Sequence, residues 1–301
     1  GTRFDATLDG DITPLMAEEF RPFFGGQTAL ELQGTRSAEG ALDIGRLGLS
    51  AAQLTLDGAL SLDAAGWPRR FDLTGEIGNG AGPVRLPVAG PPVTLDRATI
   101  AARYDAAQGD RWRARIALEG LAQPGLALGQ ATLSGRGTLH RSAPRGVTAL
   151  AEFDLSGLDL ADPALAEAAG RTLSGHASLE WREGAPLLLR GLRLVSGAAV
   201  LAADGRVSAL AEGLPVTGSA RIEAPDLARF AALTGQDLSG AAEARLTGSG
   251  SLLGGDFDLA LDATTDGLGL GIAQIDPLIA PPGTLTLAAR RDTTGTTLDR
   301  L

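Results

Sequence analysis

The chain has 301 residues, 44% of them hydrophobic but only 4% aromatic, and a net charge of −10 from 26 Lys and Arg against 36 Asp and Glu. That balance argues against recognition of nucleic acid through a basic face. The absence of cysteine excludes disulfides and thiolate metal sites, and no run is long and apolar enough to span a bilayer as a helix. Glycine, at 42 residues, is about twice the roughly 7% of average proteins, so many tight turns and bends are expected, and the Leu- and Ala-rich apolar content suits smooth aliphatic surfaces.

In chain order, Phe4, Ala6 and Leu8 alternate with Asp5, Thr7 and Asp9 in a first short strand. The period then changes. Thr13 is placed to cap a helix with Pro14 at its first position, Leu15, Met16, Phe20, Phe23 and Phe24 follow at helical spacing, and Gly25-Gly26 ends it. Strands are expected next at about 28–34, 41–44, 47–49, 54–62 and 71–77. The clearest is 54–62, where Leu54, Leu56, Leu60 and Leu62 share one parity and Thr55, Asp57, Ala59 and Ser61 the other, with Gly58 in the middle. Phe71, Leu73 and Ile77 repeat the beat. Prolines 83, 87, 91 and 92 then mark an irregular stretch whose short extended pieces, at about 84–86 and 93–95, lie at an edge or leave the sheet. Pairing resumes at about 100–104, 112–119, 126–135, 137–140 and 147–155.

A second helix is expected from the cap Asp162, Pro163 and the run Ala164–Ala169, closed by Gly170, and a third from Asp226 to Leu233, closed by Gly235. Each opens into Leu-Ser-Gly-x-Ala, at Leu173 and at Leu238, about 65 residues apart. A weaker fourth start lies at Asp276-Pro277-Leu278-Ile279, before a strand at 284–288. The repeat is a short helix and a meander of strands, with starts near 11, 159, 226 and 276. No linker divides it, so residues 1–301 read as one repetitive β-rich segment. The fold class is therefore mainly β: a long antiparallel curved sheet with a few short α-helices at repeat starts. About twenty strands are too many for an open twisted sheet to stay flat, so the sheet must roll and form a groove.

The apolar face of such a groove needs a cover: a second sheet, closure into a barrel, or a ligand. An outer-membrane barrel is argued against by the lack of aromatic girdles: Trp67, Trp112, Trp181, Tyr104 and eight Phe fall at no regular strand ends. Catalysis finds little support. His140 and His176 lie in separate strands; Ser174 and Ser239 lack a nucleophile elbow; Gly248-Ser249-Gly250 and Gly254-Gly255 read as a strand bend and hairpin; and Asp256, Asp258 and Asp262 read as a solvated face that could hold a cation only loosely. The pairs Arg69-Arg70 and Arg290-Arg291 and the alternating Arg111, Arg113 and Arg115 read as solvated strand sides. No enzyme, cofactor or metal centre is expected.

The Leu-x-Leu-x-Gly strands, the short helices opening into Leu-Ser-Gly-x-Ala, Gly82-Pro83-Val84-Arg85-Leu86-Pro87 and Gly213-Leu214-Pro215-Val216-Thr217-Gly218 together resemble the periplasmic body of the TamB family, subunits of the translocation and assembly module within the wider AsmA-like group. The resemblance covers the whole chain and rests on texture and repeats. It implies an internal fragment of a longer protein, lacking an N-terminal anchor helix and a C-terminal domain. It also implies a β-taco in the periplasm of a diderm bacterium, with phospholipids as cargo, a TamA-like outer-membrane barrel and the inner membrane as partners of the full-length protein, and a part in lipid transport, protein secretion and outer membrane biogenesis. The residues expected to line the lipid groove are Leu54, Leu56, Leu60, Leu62, Phe71, Leu73, Ile77, Ile116, Leu118, Leu187, Leu189, Phe257, Leu259, Leu261, Leu285 and Leu287. Met16, Phe20, Phe23 and Phe24 are expected to plug or flank it. The alternative is a structural or adhesive β-sandwich repeat protein in which these residues form a dry core.

Overall fold

A computed structural model describes residues 1–88, 90–208, 214–251, 253–292 and 295–300. Gly213 and Leu301 lie outside the described residues. The protein is mainly β, 62% strand and 10% helix, which leaves helices as accessories to the sheet. It divides into two units, residues 1–142 with 155–157, and residues 143–154 with 158–301.

In the first unit β1 (Thr2–Gly10), β2 (Thr28–Arg36), β3 (Leu42–Ser50), β4 (Leu54–Leu62) and β5 (Pro68–Ile77) pair antiparallel in sequence order. The chain then leaves the ladder for a small hairpin, β6 (Val84–Arg85) with β7 (Thr94–Leu95), as its prolines require. It returns as β8 (Arg97–Asp105), which pairs with β5, followed by β9 (Arg111–Gln123) and β10 (Leu126–His140). The second unit holds β11 (Gly146–Ser156) as far as residue 154, β12 (Asp159–Leu160) and β13 (Thr172–Arg182). From there β14 (Leu187–Ser196), β15 (Val200–Val207), β16 (Pro215–Ala224), β17 (Ser239–Ser251), β18 (Phe257–Gly269), β19 (Gly283–Asp292) and β20 (Gly295–Arg300) pair as an antiparallel meander. In each unit the sheet is long, curved and open.

Two segments read as four strands are two. Residues 126–140 are one strand, and 42–44 and 47–49 both belong to β3, which slips register against β4 between Ile44 and Leu47. An inserted residue re-aims the side chains that follow it, so the alternation changes parity without the strand ending.

Glycines on the apolar face let the sheet curl. A Cβ on Gly58 would overlap the Asp72 carbonyl of β5 and lie 2.5 Å from Leu73 Cδ2. Gly218 and the Asp204 carbonyl repeat that close approach between β16 and β15. Backbone occupies the space a side chain would need, so the strands draw together on that face.

The helices sit where the cap residues place them, with one correction. Asp162 accepts from the backbone N–H groups of Ala164 and Leu165 at 2.9 and 3.2 Å to start the helix Pro163–Ala169, and Gly170 closes it with φ 73°. Asp226 caps the 3-10 turn Leu227–Phe230, which runs into Ala231–Thr234 and stops at Gly235. A last turn is Asp276–Ile279. Thr13, however, caps nothing. Its N–H and hydroxyl both donate to Asp11, at 2.8 and 2.6 Å, and the segment with Pro14 and Pro22 forms only the 3-10 turns Thr13–Leu15 and Glu18–Phe20 and a short helix, Arg21–Phe24. Each proline removes a donor, so a continuous helix cannot form across them.

Candidate functional site

Register turns the predicted residues into continuous rows. Residues opposite each other in an antiparallel pair share a face. In the first unit one row runs Leu8, Leu30, Leu49, Leu56, Gly75, Ile100, Ile116, Leu133, across eight strands. A second runs Phe4, Gly34, Ile44, Leu60, Phe71, Tyr104, Trp112. Leu73 stands opposite Gly58 and Ala102, Leu54 joins Ile77, Ala98 and Leu118, and Leu62 faces Leu42. All nine candidates of this unit therefore share one apolar face.

The second unit repeats the arrangement. Leu189, Gly205, Gly218, Gly248, Leu259, Ala289 and Leu298 form one row, and Leu192, Ala203, Ala220, Leu246, Leu261 and Leu287 another. Leu187 is aligned through Val207, Val216 and Gly250 with Phe257, and Leu285 through Ala263, Ala244, Ile222 and Leu201 with Leu194. The three consecutive glycines leave a depression in this face, a groove of about 370 Å³ walled by Leu189, Val216, Leu246, Phe257 and Leu259.

Tyr104 apart, the residues of these rows are not fully buried. Of the sixteen candidates none is buried; fifteen are half-buried and Leu285 is 43% exposed. Leu8, Ile100 and Leu133, all in the first row, are 42%, 41% and 43% exposed. Among the described residues the buried hydrophobics are Phe23, Val84, Leu95, Tyr104, Ala131, Leu139, Ala198 and Ala224. The chain exposes 17594 Å². Two separate compact domains, each of half its 30.6 kDa, would expose about 14,300 Å² together, so about 3,300 Å² is in excess even of that. A sandwich would bury these rows, and neither unit forms one.

The opposite face is polar. Arg46–Glu31, Arg97–Glu76 and Arg103–Asp72 pair across it at 2.7, 2.8 and 3.6 Å. Asp262 accepts from the Thr286 hydroxyl at 3.2 Å and stands opposite Arg245 in register, as Asp258 stands opposite Arg290. No metal-binding cluster occurs among the described residues. His140 contacts Thr138 at 3.2 Å and His176 stands opposite Arg193; the two lie in different units. Ser251 closes the hairpin before β18, accepting at its hydroxyl from Gly254 N–H at 2.8 Å.

The aromatic turn of the first unit lies at the Leu54 end of the sheet. The carbonyls of Phe23 and Phe24 accept from the N–H groups of Gln53 and Ala52 at 3.1 and 3.0 Å, Phe23 is buried, and Arg85 reaches over the Phe20 ring. At the other end of β8, Tyr104 is 1% exposed, its ring 5.5 Å from that of Phe71, and its hydroxyl has no hydrogen-bond partner among the described residues. Burial pushes that hydroxyl's pKa up, with Arg141 opposing and Asp110 and Asp105 adding to the rise.

No protein-family model, curated protein or solved structure matches the chain.

Proposed function

We propose that the chain is a non-enzymatic segment of a TamB-like, AsmA-type envelope protein whose apolar face carries phospholipid acyl chains between the inner and outer membranes and thereby supports outer-membrane assembly. One observation carries this reading: the apolar rows run unbroken across successive strands and their leucines and isoleucines stay only half-buried or exposed. An acyl chain is the simplest cover. At about 0.8 kcal/mol per methylene, a long acyl chain gains on the order of 10 kcal/mol on leaving water, with no directed polar contact required. The face also repeats at each strand, about 4.8 Å apart, so neighbouring positions are nearly equivalent and a chain can slide between them. Headgroups stay at the open margin. The periplasm, an inner-membrane anchor and a TamA-like barrel as partner belong to the same proposal and rest on the family resemblance.

The test is extraction and mass spectrometry of lipid bound to the purified chain, beside a variant with Leu56→Asp, Leu73→Asp and Leu259→Asp. Phospholipid on the wild type and its loss from a variant with unchanged circular dichroism is the expected result. A lipid-free wild type after expression and reconstitution with phospholipid would sink the reading.

A further inference from the structure

The polar face of the first unit carries an arginine cluster that the lipid reading does not use. Register places Arg103, Arg113 and Arg136 side by side on β8, β9 and β10, about 4.8 Å apart, while Arg111, Arg113 and Arg115 follow one another at alternate positions of β9, about 6.7 Å apart. All five are exposed. Like charges placed directly opposite destabilise a sheet. Elsewhere on this face arginines are answered by acids, Arg46 by Glu31 and Arg97 by Glu76, and within the cluster Arg103 is answered by Asp72. The side chains of Arg111, Arg113 and Arg115 make no ion pair or hydrogen bond among the described residues. Beside Arg113 and Arg115 is a cavity of about 390 Å³, lined also by Asp72, Thr74, Ala101 and Arg103. Strands β8 to β10 hold six arginines against Asp105 and Glu119, a surplus of four positive charges in a chain of net charge −10.

We infer that this surface docks an extended acidic segment of a partner protein, with carboxylates at alternate positions laid along Arg111, Arg113 and Arg115. The side chains of an extended peptide that share one face also repeat at about 6.7 Å, so each carboxylate meets one guanidinium fork. Neighbouring Arg103 and Arg136 flank the central contact. An anionic bilayer is the weaker partner, because a plane brings the rest of the acidic surface within reach, whereas a single peptide feels charge only within a screening length of about 8–10 Å. The inference stands apart from whatever fills the apolar face.

The test uses the intact chain and a fluorescent peptide, Asp-Thr-Asp-Thr-Asp-Thr-Asp, with a block peptide of the same composition, four Asp followed by three Thr, and phosphatidylglycerol vesicles as alternatives. Anisotropy should show saturable binding of the alternating peptide, tighter than the block peptide. Arg113→Glu with Arg115→Glu should weaken it at least tenfold, while Arg46→Glu, the same reversal at a paired site on the same face, should leave it within twofold. Arg113→Gln with Arg115→Gln gives the same readout should the reversal unfold the chain. No saturable peptide binding, an equal loss with Arg46→Glu, or vesicle binding without peptide binding that the same variants abolish would each overturn the proposal, the last in favour of a membrane surface.

Discussion

Leu133 offers the sharpest separation between an uncovered face and a core. It ends a row that crosses eight strands and is 43% exposed, while Leu139, six residues on in the same strand and with the same parity, is 7% exposed. A fully buried Leu stabilises by about 1.5–3 kcal/mol, so the buried half of Leu133 contributes about 1 kcal/mol. Leu139→Ala opens a cavity and costs about 2–5 kcal/mol. For a unit of this size each kcal/mol shifts Tm by about 2–4 °C. In delipidated protein Leu133→Ala should therefore lower Tm by about 3 °C and Leu139→Ala by at least twice as much. Adding phospholipid should raise the wild-type Tm, because a ligand that binds only the folded state stabilises it, and should raise that of Leu133→Asp less. Calorimetry of the three variants with and without lipid reads both effects. Equal costs for Leu133→Ala and Leu139→Ala without lipid would mean that Leu133 is already covered by protein, and the groove reading would fail.

Gly58→Ala should destabilise the first unit by about 1–3 kcal/mol, since its Cβ would meet the Asp72 carbonyl, whereas Gly26→Ala, which meets nothing, should be neutral or slightly stabilising; denaturant midpoints decide. Asp162→Ala removes two N-cap bonds and should cost about 1 kcal/mol in the second unit, with Asp162→Asn recovering most of it in the same melts. Tyr104 is the only tyrosine, so ultraviolet absorbance titrates it directly. Its folded pKa is raised, which means its stabilising contribution is complete below the ordinary value of about 10 and is lost as pH climbs through the folded value. Melting temperature should fall above about pH 10 and fall less in Tyr104→Phe, which loses no hydrogen bond and should otherwise match or exceed the wild type. A tyrosine titrating at or below the ordinary value would refute this.

The class of fold was legible because alternation is local. Leu54 to Leu62 announces its two faces without reference to any partner strand. Strand continuity was harder to read, since Leu42 and Ile44 share one parity and Leu47 and Leu49 the other, which looks like two strands until the register slip between Ile44 and Leu47 is seen. The same signature recurs in β14, where Leu187 and Leu189 give way to Leu192 and Leu194 around Gly191, at φ 55°. A parity change beside a glycine thus marks a bulge rather than an end. Register was out of reach. Ile100 and Leu133 sit in one row with Leu56, and Arg103 and Arg136 beside Arg113, only because particular residues of separate strands pair. Thr13 misled because it is a good cap in isolation and Asp11, two residues earlier, is a better acceptor for its N–H.

The glycines that shape the sheet also shape its site. At Gly218 the missing side chain admits a neighbouring carbonyl, and because Gly205 and Gly248 fall in the same row, three adjacent strands lose apolar bulk at one level. The result is a depression of about 370 Å³ bounded by Leu189 and Leu259, at one level across those strands. Filling it from Gly205 is the mildest intervention, because a Cβ there approaches the Thr217 carbonyl only to 3.3 Å. Curvature and groove therefore have a common cause.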